Sequence, residues 1–365
     1  MLYQPASFAA LPKIIMRQFS AFFLSPLGAL YGVSVQARAA LYRNKILRAQ
    51  KIPAPVISVG NLTVGGTGKT PLVEWIARRA AEENRRVCIL TRGYGRADIS
   101  KRIIVSDGEQ LLADARTGGD EPRLLAEMLQ GTAAVISDRD RAGAARWAIE
   151  HLGCDAFILD DGFQHLRMMR DLDIVTIDAS DAWGGGKLLP AGRLRERRTA
   201  LERADCIVIT RADQAPDVEA LRNEVEELSK GCPVIVSRVS TCGLRPLTPA
   251  LRDEGFEQDP ASHPVVLFCA LGNPQSFLAH ARKDNFKMAL VKFFPDHRFY
   301  TQRDVDELIR AALLQHGALR LLTTAKDAVK LATLHFSLPC YVLETKLEFD
   351  DEEKLISMVR KPLAV

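Results

Sequence analysis

The segment Thr63-Val64-Gly65-Gly66-Thr67-Gly68-Lys69-Thr70 constrains this chain more than any other stretch. An apolar run over 55–59 reads as a strand and ends at Gly60. Beyond the segment, Leu72, Val73, Ile76, Ala77 and Ala80 form an apolar stripe at helical spacing. Strand, glycine-rich loop and helix, in that order, aim backbone N–H groups and a helix N-terminus at bound phosphate. The common form of such a loop is G-x-x-x-x-G-K-[ST], and here Thr63 stands at the first glycine position. Gly65, Gly66 and Gly68 still let the backbone curl. Lys69 supplies a point charge for the β and γ phosphates, and the Thr70 hydroxyl is placed to ligate Mg²⁺. Residues 63–70 are therefore the expected nucleotide-binding set. The alternative is an ordinary glycine-rich turn before a helix.

The rest of the chain fits that start. Apolar runs over 87–90, 133–136, 156–159, 174–177 and 206–209 read as buried parallel strands, with helical patterns over 121–129 and 141–152 between some of them. The alternation predicts an α/β fold: a P-loop NTPase-like core with a mostly parallel sheet. The pattern breaks after Arg238, at Thr241-Cys242-Gly243. Further runs over 265–269, 289–291, 319–322 and 341–343 predict a second, smaller α/β domain. The expected organisation is an amino-terminal segment over 1–50, a kinase-type core over 51–240 and a second domain over 241–365. A chain of 365 residues is long enough for two such cores. Its seven cysteines are scattered, odd in number and without a C-x-x-C pair, which argues against a disulfide framework or zinc site and for a reducing compartment.

Charge is distributed unevenly. No Asp or Glu precedes Glu74, whereas Lys13, Arg17, Arg38, Arg43, Lys45, Arg48, Lys51 and Lys69 all lie before it. Those eight cations make the remainder of a chain of net charge +4 acidic, at −4. A basic end beside such a body points to an anionic partner: a membrane surface, a nucleic acid or a phosphorylated substrate. Residues 18–37 carry no charge and include Phe19, Phe22, Phe23, Leu24, Leu27, Leu30, Tyr31 and Val33. Pro26, Gly28 and Gly32 interrupt the run, which is a poor membrane span and a poor secretory signal. A membrane-associating helix lying in the interface, with the basic residues meeting anionic lipid, is the expectation. A helix packed on the protein's own core is the alternative.

Five further constellations carry chemistry. The strand ending in Asp160-Asp161, followed by Gly162-Phe163-Gln164-His165, delivers carboxylates to the sheet edge where the phosphate loop lies, as a Mg²⁺ site needs; Asp-Gly is also a common turn pair. In Gly118-Gly119-Asp120-Glu121-Pro122, Asp120 is either the cap of the following helix or a general base. His297, within Phe293-Phe294-Pro295-Asp296-His297, needs a carboxylate partner to be more than a packed residue. The stretch from Leu189 to Arg198 can hold an anionic substrate or form a solvated face. Thr210-Arg211-Ala212-Asp213 loosely matches the base-reading motif of GTPases.

Together these residues resemble the tetraacyldisaccharide 4′-kinases, the lipid A 4′-kinases. The resemblance runs from Ser25-Pro26-Leu27 through Gly60-Asn61-Leu62-Thr63, the phosphate loop with Pro71, Thr91-Arg92-Gly93-Tyr94-Gly95, Gly119-Asp120-Glu121-Pro122 and Asp160-Asp161-Gly162-Phe163-Gln164-His165. It continues through Pro190-Ala191-Gly192 with Leu194-Arg195-Glu196, Gly272-Asn273-Pro274, Asp296-His297 and Thr323-Thr324-Ala325-Lys326-Asp327. Arg193 stands where the family pattern has Pro. The resemblance implies an enzyme that uses ATP and Mg²⁺ to phosphorylate the 4′-hydroxyl of a tetraacyldisaccharide 1-phosphate, the lipid A precursor, giving lipid IVA. The implied place is the cytoplasmic face of a Gram-negative inner membrane, against an anionic membrane surface, with no nucleic acid and no required protein partner. Asp120 carries over as the base, with His297 reaching from the second domain to orient it. Lys69 and Asp161 join them as catalytic residues, and Thr70, Asp160 and Glu121 surround the metal. Arg193, Arg195, Glu196, Gln164 and His165 are the substrate candidates. A metallochaperone-type GTPase acting on a protein partner, and a nucleotide-gated membrane-binding module, are the rival readings.

Overall fold

The apolar runs become the strands of one continuous sheet. The computed structural model describes residues 24–94, 96–316 and 318–364. The first lobe contains α1 (Ser25–Arg43), β1 (Val56–Asn61), α2 (Lys69–Glu82), β2 (Val87–Thr91), β3 (Ile103–Ser106), α3 (Asp120–Met128), β4 (Ala133–Ser137), α4 (Arg141–Leu152), β5 (Ala156–Asp160), β6 (Leu172–Asp178), β7 (Cys206–Thr210) and α5 (Val218–Leu228). After them come β8 (Val234–Pro246), β9 (Pro264–Cys269), α6 (Pro274–Lys283), β10 (Lys287–Phe293), α7 (Gln302–Ala311), β11 (Leu321–Thr323), α8 (Ala325–Leu331), β12 (Cys340–Phe349) and α9 (Glu352–Leu363).

The strand order is β10-β9-β11-β12-β8-β7-β6-β1-β5-β2-β4-β3. Neighbours run parallel except β3 with β4 and β8 with β12. Central strands β1, β2 and β5 are buried along their whole length, which is why they read as unbroken apolar runs and not as alternating ones. Ile57, Val59 and Ile158 face α2 through Leu72, Val73 and Ile76. Val56, Leu90 and Phe157 face the opposite layer, where α4 contributes Ala144, Ala145 and Ala148. A helix of small residues at that place lets the layers approach closely.

The long strand β8 belongs to both lobes. Val234–Val236 extend the parallel sheet beside β7, and residues from Ser237 onward form an antiparallel ribbon with β12, with a register shift between Glu344 and Thr345. The break in pattern expected near 240 is thus a place where one strand changes partners, with no interruption of secondary structure. The chain then returns: Leu355, Val359 and Leu363 of α9 join the buried cluster of Ile57, Leu72 and Ile76.

Helix α1 begins with Pro at its first turn, where a missing N–H costs nothing, so Pro26 starts the helix instead of interrupting it. Its buried residues are Gly28 and Gly32, which let it lie against the backbone and side chains of Leu188, Leu189 and Ala191. Leu27, Leu30 and Val33 are exposed. Phe19, Phe22 and Phe23 fall outside the described residues. Among the described residues, no helix is long and apolar enough to cross a membrane. Each of the seven cysteines is free.

Candidate active site

Residues from both lobes line a cleft of about 1310 Å³. Its floor is the phosphate loop between β1 and α2. Gly68 caps α2 in the left-handed region, at φ 75°, a conformation that glycine adopts without strain. The loop is tied in place: Val64 N donates to the Arg193 carbonyl at 2.8 Å, Thr210 Oγ1 donates to the Thr67 carbonyl at 2.9 Å, and Arg211 donates to the Gly66 carbonyl at 2.8 Å. Arg211 in turn pairs with Asp178 at the end of β6. Lys69 donates to Asn61 Oδ1 at 3.2 Å and pairs with Asp161 Oδ1 at 3.3 Å. That contact parks the ammonium at the mouth of the loop, the place where phosphate charge would compete for it.

The two carboxylates at the end of β5 differ sharply. Burial acts first on Asp161 and would raise it, but Lys69 and Arg195 outweigh burial and hold its carboxyl down at about 2. Arg195 contacts Asp161 Oδ2 at 2.6 Å, and Asp161 itself sits at φ 55°. Asp160 is pushed up to about 6, by burial first and then by the charge of Glu121, with Asp161 adding to it against Lys69. Its one described hydrogen bond comes from Thr91 Oγ1 at 3.1 Å. A buried carboxylate crowded by two others is a site that a cation relieves. Thr70, Asp160 and Glu121 line the same cleft, so the residues present fit a Mg²⁺ ion that takes one or two protein oxygens and completes its shell with phosphate and water.

The second lobe supplies cations to the start of α3. His297 Nδ1 lies 2.9 Å from Asp120 Oδ2, 177 positions away in the chain. Lys330 Nζ, on a side chain with no exposure, lies 3.6 Å from the same oxygen and 3.8 Å from Asp327 Oδ1. Lys326 Nζ pairs with Glu121 at 3.0 Å and approaches Asp296 at 3.6 Å. Burial would raise Asp120, but the His297 hydrogen bond and the charges of Lys326, His297 and Lys330 hold it down at about 2. The Asp120 hydrogen bond raises His297 above its ordinary 6.5, against burial and the charge of Lys326. Gly272 closes the arrangement: a Cβ there would meet Asp296 Oδ2 at 2.9 Å and lie 3.8 Å from Gly66 N, so the second lobe rests almost on the phosphate loop. Asp120 and His297, which the family resemblance alone had linked, are therefore neighbours. Lys330 and Asp327 carried no expected role, and only the Thr-Thr-Ala-Lys-Asp motif pointed near them.

The substrate candidates divide. Gln164, His165 and Arg195 line the cleft. Gln164 donates to the Asn61 carbonyl at 2.9 Å, and burial with the nearby arginines lowers His165 to about 3, leaving it neutral. Arg193 binds outward, to Asp181 at 2.9 Å and the Val64 carbonyl at 3.2 Å, and steadies the loop from outside. Glu196 departs from the expectation: it is buried against Arg203, accepting bonds of 2.7 and 3.0 Å, while Arg203 stacks over Phe163. It is a packing carboxylate outside the cleft lining. Thr63 is likewise buried outside the lining, bridged to Leu194, and shapes the loop without facing the cleft. Gly95 of the Thr-Arg-Gly-Tyr-Gly motif lies outside the described residues. Tyr31 and Arg38 of α1 reach the same cleft, which sequence spacing did not indicate.

Residues 20–364 match the family described as tetraacyldisaccharide-1-P 4′-kinase, LpxK. The chain is similar to the tetraacyldisaccharide 4′-kinase of Desulfotalea psychrophila, 37% identical over 324 residues that cover 87% of this chain and 89% of that one. The corresponding kinase of Anaeromyxobacter sp. strain K is 42% identical over 319 residues, 84% of this chain and 83% of that one. Among solved structures, LpxK from Aquifex aeolicus in complex with ATP superimposes with a TM-score of 0.75 at 32% identity, covering 94% of this chain and 99% of that one.

Proposed function

The chain belongs to the tetraacyldisaccharide-1-P 4′-kinase family, and from that premise we propose how its cleft transfers a phosphoryl group. The reaction takes the γ-phosphoryl group of ATP to the 4′-hydroxyl of a tetraacyldisaccharide 1-phosphate, with Mg²⁺ as cofactor. The rival GTPase reading has less support. A nucleotide-gated membrane-binding module without phosphoryl transfer has none, since the family is one of kinases.

The observation that carries the residue roles is the contact of Asp120 with His297 across the cleft. A sugar hydroxyl is a weak nucleophile, and a carboxylate held ionised beside it can take its proton as the new P–O bond forms. His297 and Lys330 orient Asp120 from the second lobe. Lys69 leaves Asp161 for the β and γ phosphates and stabilises charge that spreads over the transferring group. Thr70, Asp160 and Glu121 would hold Mg²⁺, which supplies neutralisation of that same charge. Arg195 keeps Asp161 ionised when Lys69 moves. The closeness of Gly272 to the phosphate loop supports a closed arrangement of the lobes that excludes water from the γ-phosphate. The division at about 240, with α9 packed back on the first lobe, makes the β8–β12 ribbon the place where such a closure bends.

The test is transfer of labelled phosphate from ATP to purified tetraacyldisaccharide 1-phosphate in detergent. Strong preference for GTP with hydrolysis and no labelled lipid would overturn the kinase reading.

His297 gives the reaction a pH signature. Its closed-state pKa is raised above 6.5, so the ion pair with Asp120 is fully present below 6.5 and is lost as pH rises through the raised value. Asp120, held at about 2, stays ionised throughout that window. The His297-dependent part of kcat is therefore expected to fade on the alkaline side, and His297→Ala to remove that limb and lower kcat by roughly tenfold to a hundredfold. An unchanged kcat profile in His297→Ala would exclude the role.

The acceptor is a lipid, and α1 supports contact with an anionic membrane at the cytoplasmic face of the inner membrane. Its exposed Leu27, Leu30 and Val33 lie close in sequence to the exposed Arg38, Arg43, Lys45 and Arg48. Neutralising Arg43, Lys45 and Arg48 to Gln is expected to weaken binding to vesicles containing anionic lipid by roughly a hundredfold, at about one kcal/mol per charge. Equal sedimentation of parent and variant with such vesicles would move the contact elsewhere.

A further inference from the structure

The second lobe sets one cation against the cleft that the roles above leave unused. Helix α8 carries two lysines one turn apart. Lys330, with no side-chain exposure, lies between Asp120 and Asp327. Lys326 is different: its side chain is 15% exposed, and it lines the cleft together with Gly66, Lys69 and Thr70. Its Nζ lies 3.0 Å from Glu121 Oε1 and 3.6 Å from Asp296 Oδ1. Both carboxylates line the same cleft and are 37% exposed, so the ammonium they flank stands at its surface. An ammonium has three N–H groups. Among the described residues one of them is engaged, by Glu121, while Asp296 lies beyond hydrogen-bond length. Two donors remain for an anion in the cleft.

The neighbours of Lys326 locate that anion. Glu121 follows Asp120, the proposed base, at the start of α3. Burial and the His297 hydrogen bond apart, the charge of Lys326 acts on Asp120 more than any other. On the other side, Gly272 brings Asp296 close to the phosphate loop: a Cβ on Gly272 would lie 2.9 Å from Asp296 Oδ2 and 3.8 Å from Gly66 N. Lys326 therefore stands between the base and the loop, on the lobe that faces Lys69. The γ-phosphoryl group of a nucleotide held by that loop must enter this interval for an acceptor hydroxyl at Asp120 to reach it. Lys69 rests on Asp161 at 3.3 Å and Lys326 on Glu121 at 3.0 Å, and phosphate oxygens would compete for both. Glu121 engages Lys326 through Oε1, which leaves Oε2 for the metal.

We propose that Lys326 is a second catalytic cation, delivered by the second lobe to the γ-phosphoryl oxygens of ATP on the side opposite Lys69. Negative charge spreads over those oxygens as the group transfers, and fixed N–H donors aimed at them from a partly dry cleft stabilise that charge. The first lobe alone offers Lys69, so the set of cations around the transferring group is complete only when the lobes meet. The inference rests on ATP being the phosphoryl donor.

The experiment measures binding of ADP and of β,γ-methylene-ATP by calorimetry, and transfer to the lipid acceptor by kcat and KM, on the parent, Lys326→Met and Lys326→Arg. In Lys326→Met the affinity for ADP is expected to stay within about twofold, while the affinity for the γ-bearing analogue relative to ADP falls about tenfold, the worth of one charged hydrogen bond. The kcat of the same variant falls by about 10²–10³-fold. Lys326→Arg, which keeps the charge and the pair with Glu121, recovers part of both losses. Glu121→Gln, alone and combined with Lys326→Met, separates a direct contact from one made through Glu121: the double variant should bind the analogue about tenfold more weakly than Glu121→Gln. Equal binding by those two, or an analogue-to-ADP ratio in Lys326→Met within twofold of the parent, overturns the inference. The calorimetric arm decides this even if no phosphate reaches the lipid, an outcome that would overturn the kinase reading alone.

Discussion

Asp120→Asn is expected to lower kcat by about 10²–10⁴-fold, the usual worth of a positioned proton acceptor, while calorimetric ATP affinity stays near that of the parent. Asn keeps the volume but has one acceptor oxygen, so of the His297 ring and the Glu121 N–H, which now meet different oxygens of Asp120, only one keeps its partner, and Asn cannot take a proton from the sugar hydroxyl. Asp120→Ala is a harsher variant. Lys330 has a side chain with no exposure and two ionic neighbours, Asp120 and Asp327, so removal of Asp120 leaves a buried ammonium half compensated. Both variants remove the charge opposite Lys330, so both should lose turnover and melting temperature, the Ala variant losing more of the latter because it also leaves a void and no acceptor. Near-normal turnover in Asp120→Asn would strip Asp120 of the base role. The transfer would then depend on positioning and on charge stabilisation without a protein base.

Lys69→Met is expected to lower kcat/KM by about 10²–10³-fold or more, since it removes a donor aimed at charge that develops during transfer. The signature differs from that of Asp120. Lys69 meets the triphosphate before and during transfer, so ATP affinity should fall together with kcat. Asp161 keeps Arg195 at 2.6 Å, which limits the damage to the folded site. A Lys69→Met variant that retained kcat/KM within tenfold would mean that the loop backbone and Mg²⁺ carry the phosphates without it.

Much of the fold was legible because of where the strands lie. β1, β2, β4, β5, β6 and β7 are buried on both faces, and such strands must be written as near-continuous apolar runs. Strand ends were less legible where burial lapses: β10 is only partly buried and extends beyond the expected 289–291 on both sides, to Lys287–Phe293. The antiparallel half of β8, from Arg238 on, is a mixture of partly buried and exposed residues without a period of two, and it was not anticipated as a strand. The return of α9 to the first lobe was hidden for another reason. Its amphipathic pattern says that one face is buried but not against which layer.

The candidate site shows the same division. Lys69, Thr70 and Asp160-Asp161 could be placed in one cleft from sequence because each follows directly from a strand that ends at one edge of a parallel sheet, so local order implies proximity. Glu196 was misassigned because an arginine-rich stretch looks the same whether its carboxylate meets a substrate or a neighbouring Arg203. The sequence by itself determined the phosphate loop, the sheet that carries it and the acid-free basic end. Each of these is written in short-range pattern and composition. Only the tertiary structure decided that Lys330 joins His297 at Asp120, that Lys283 occupies Asp213, and that Thr241 and Asp284 hold one nitrogen of His280. Apart from His280 with Asp284, one helical turn on, those contacts join positions between 39 and 210 residues apart along the chain. No local periodicity encodes them, because they come into being only when two separately packed lobes close on one cleft.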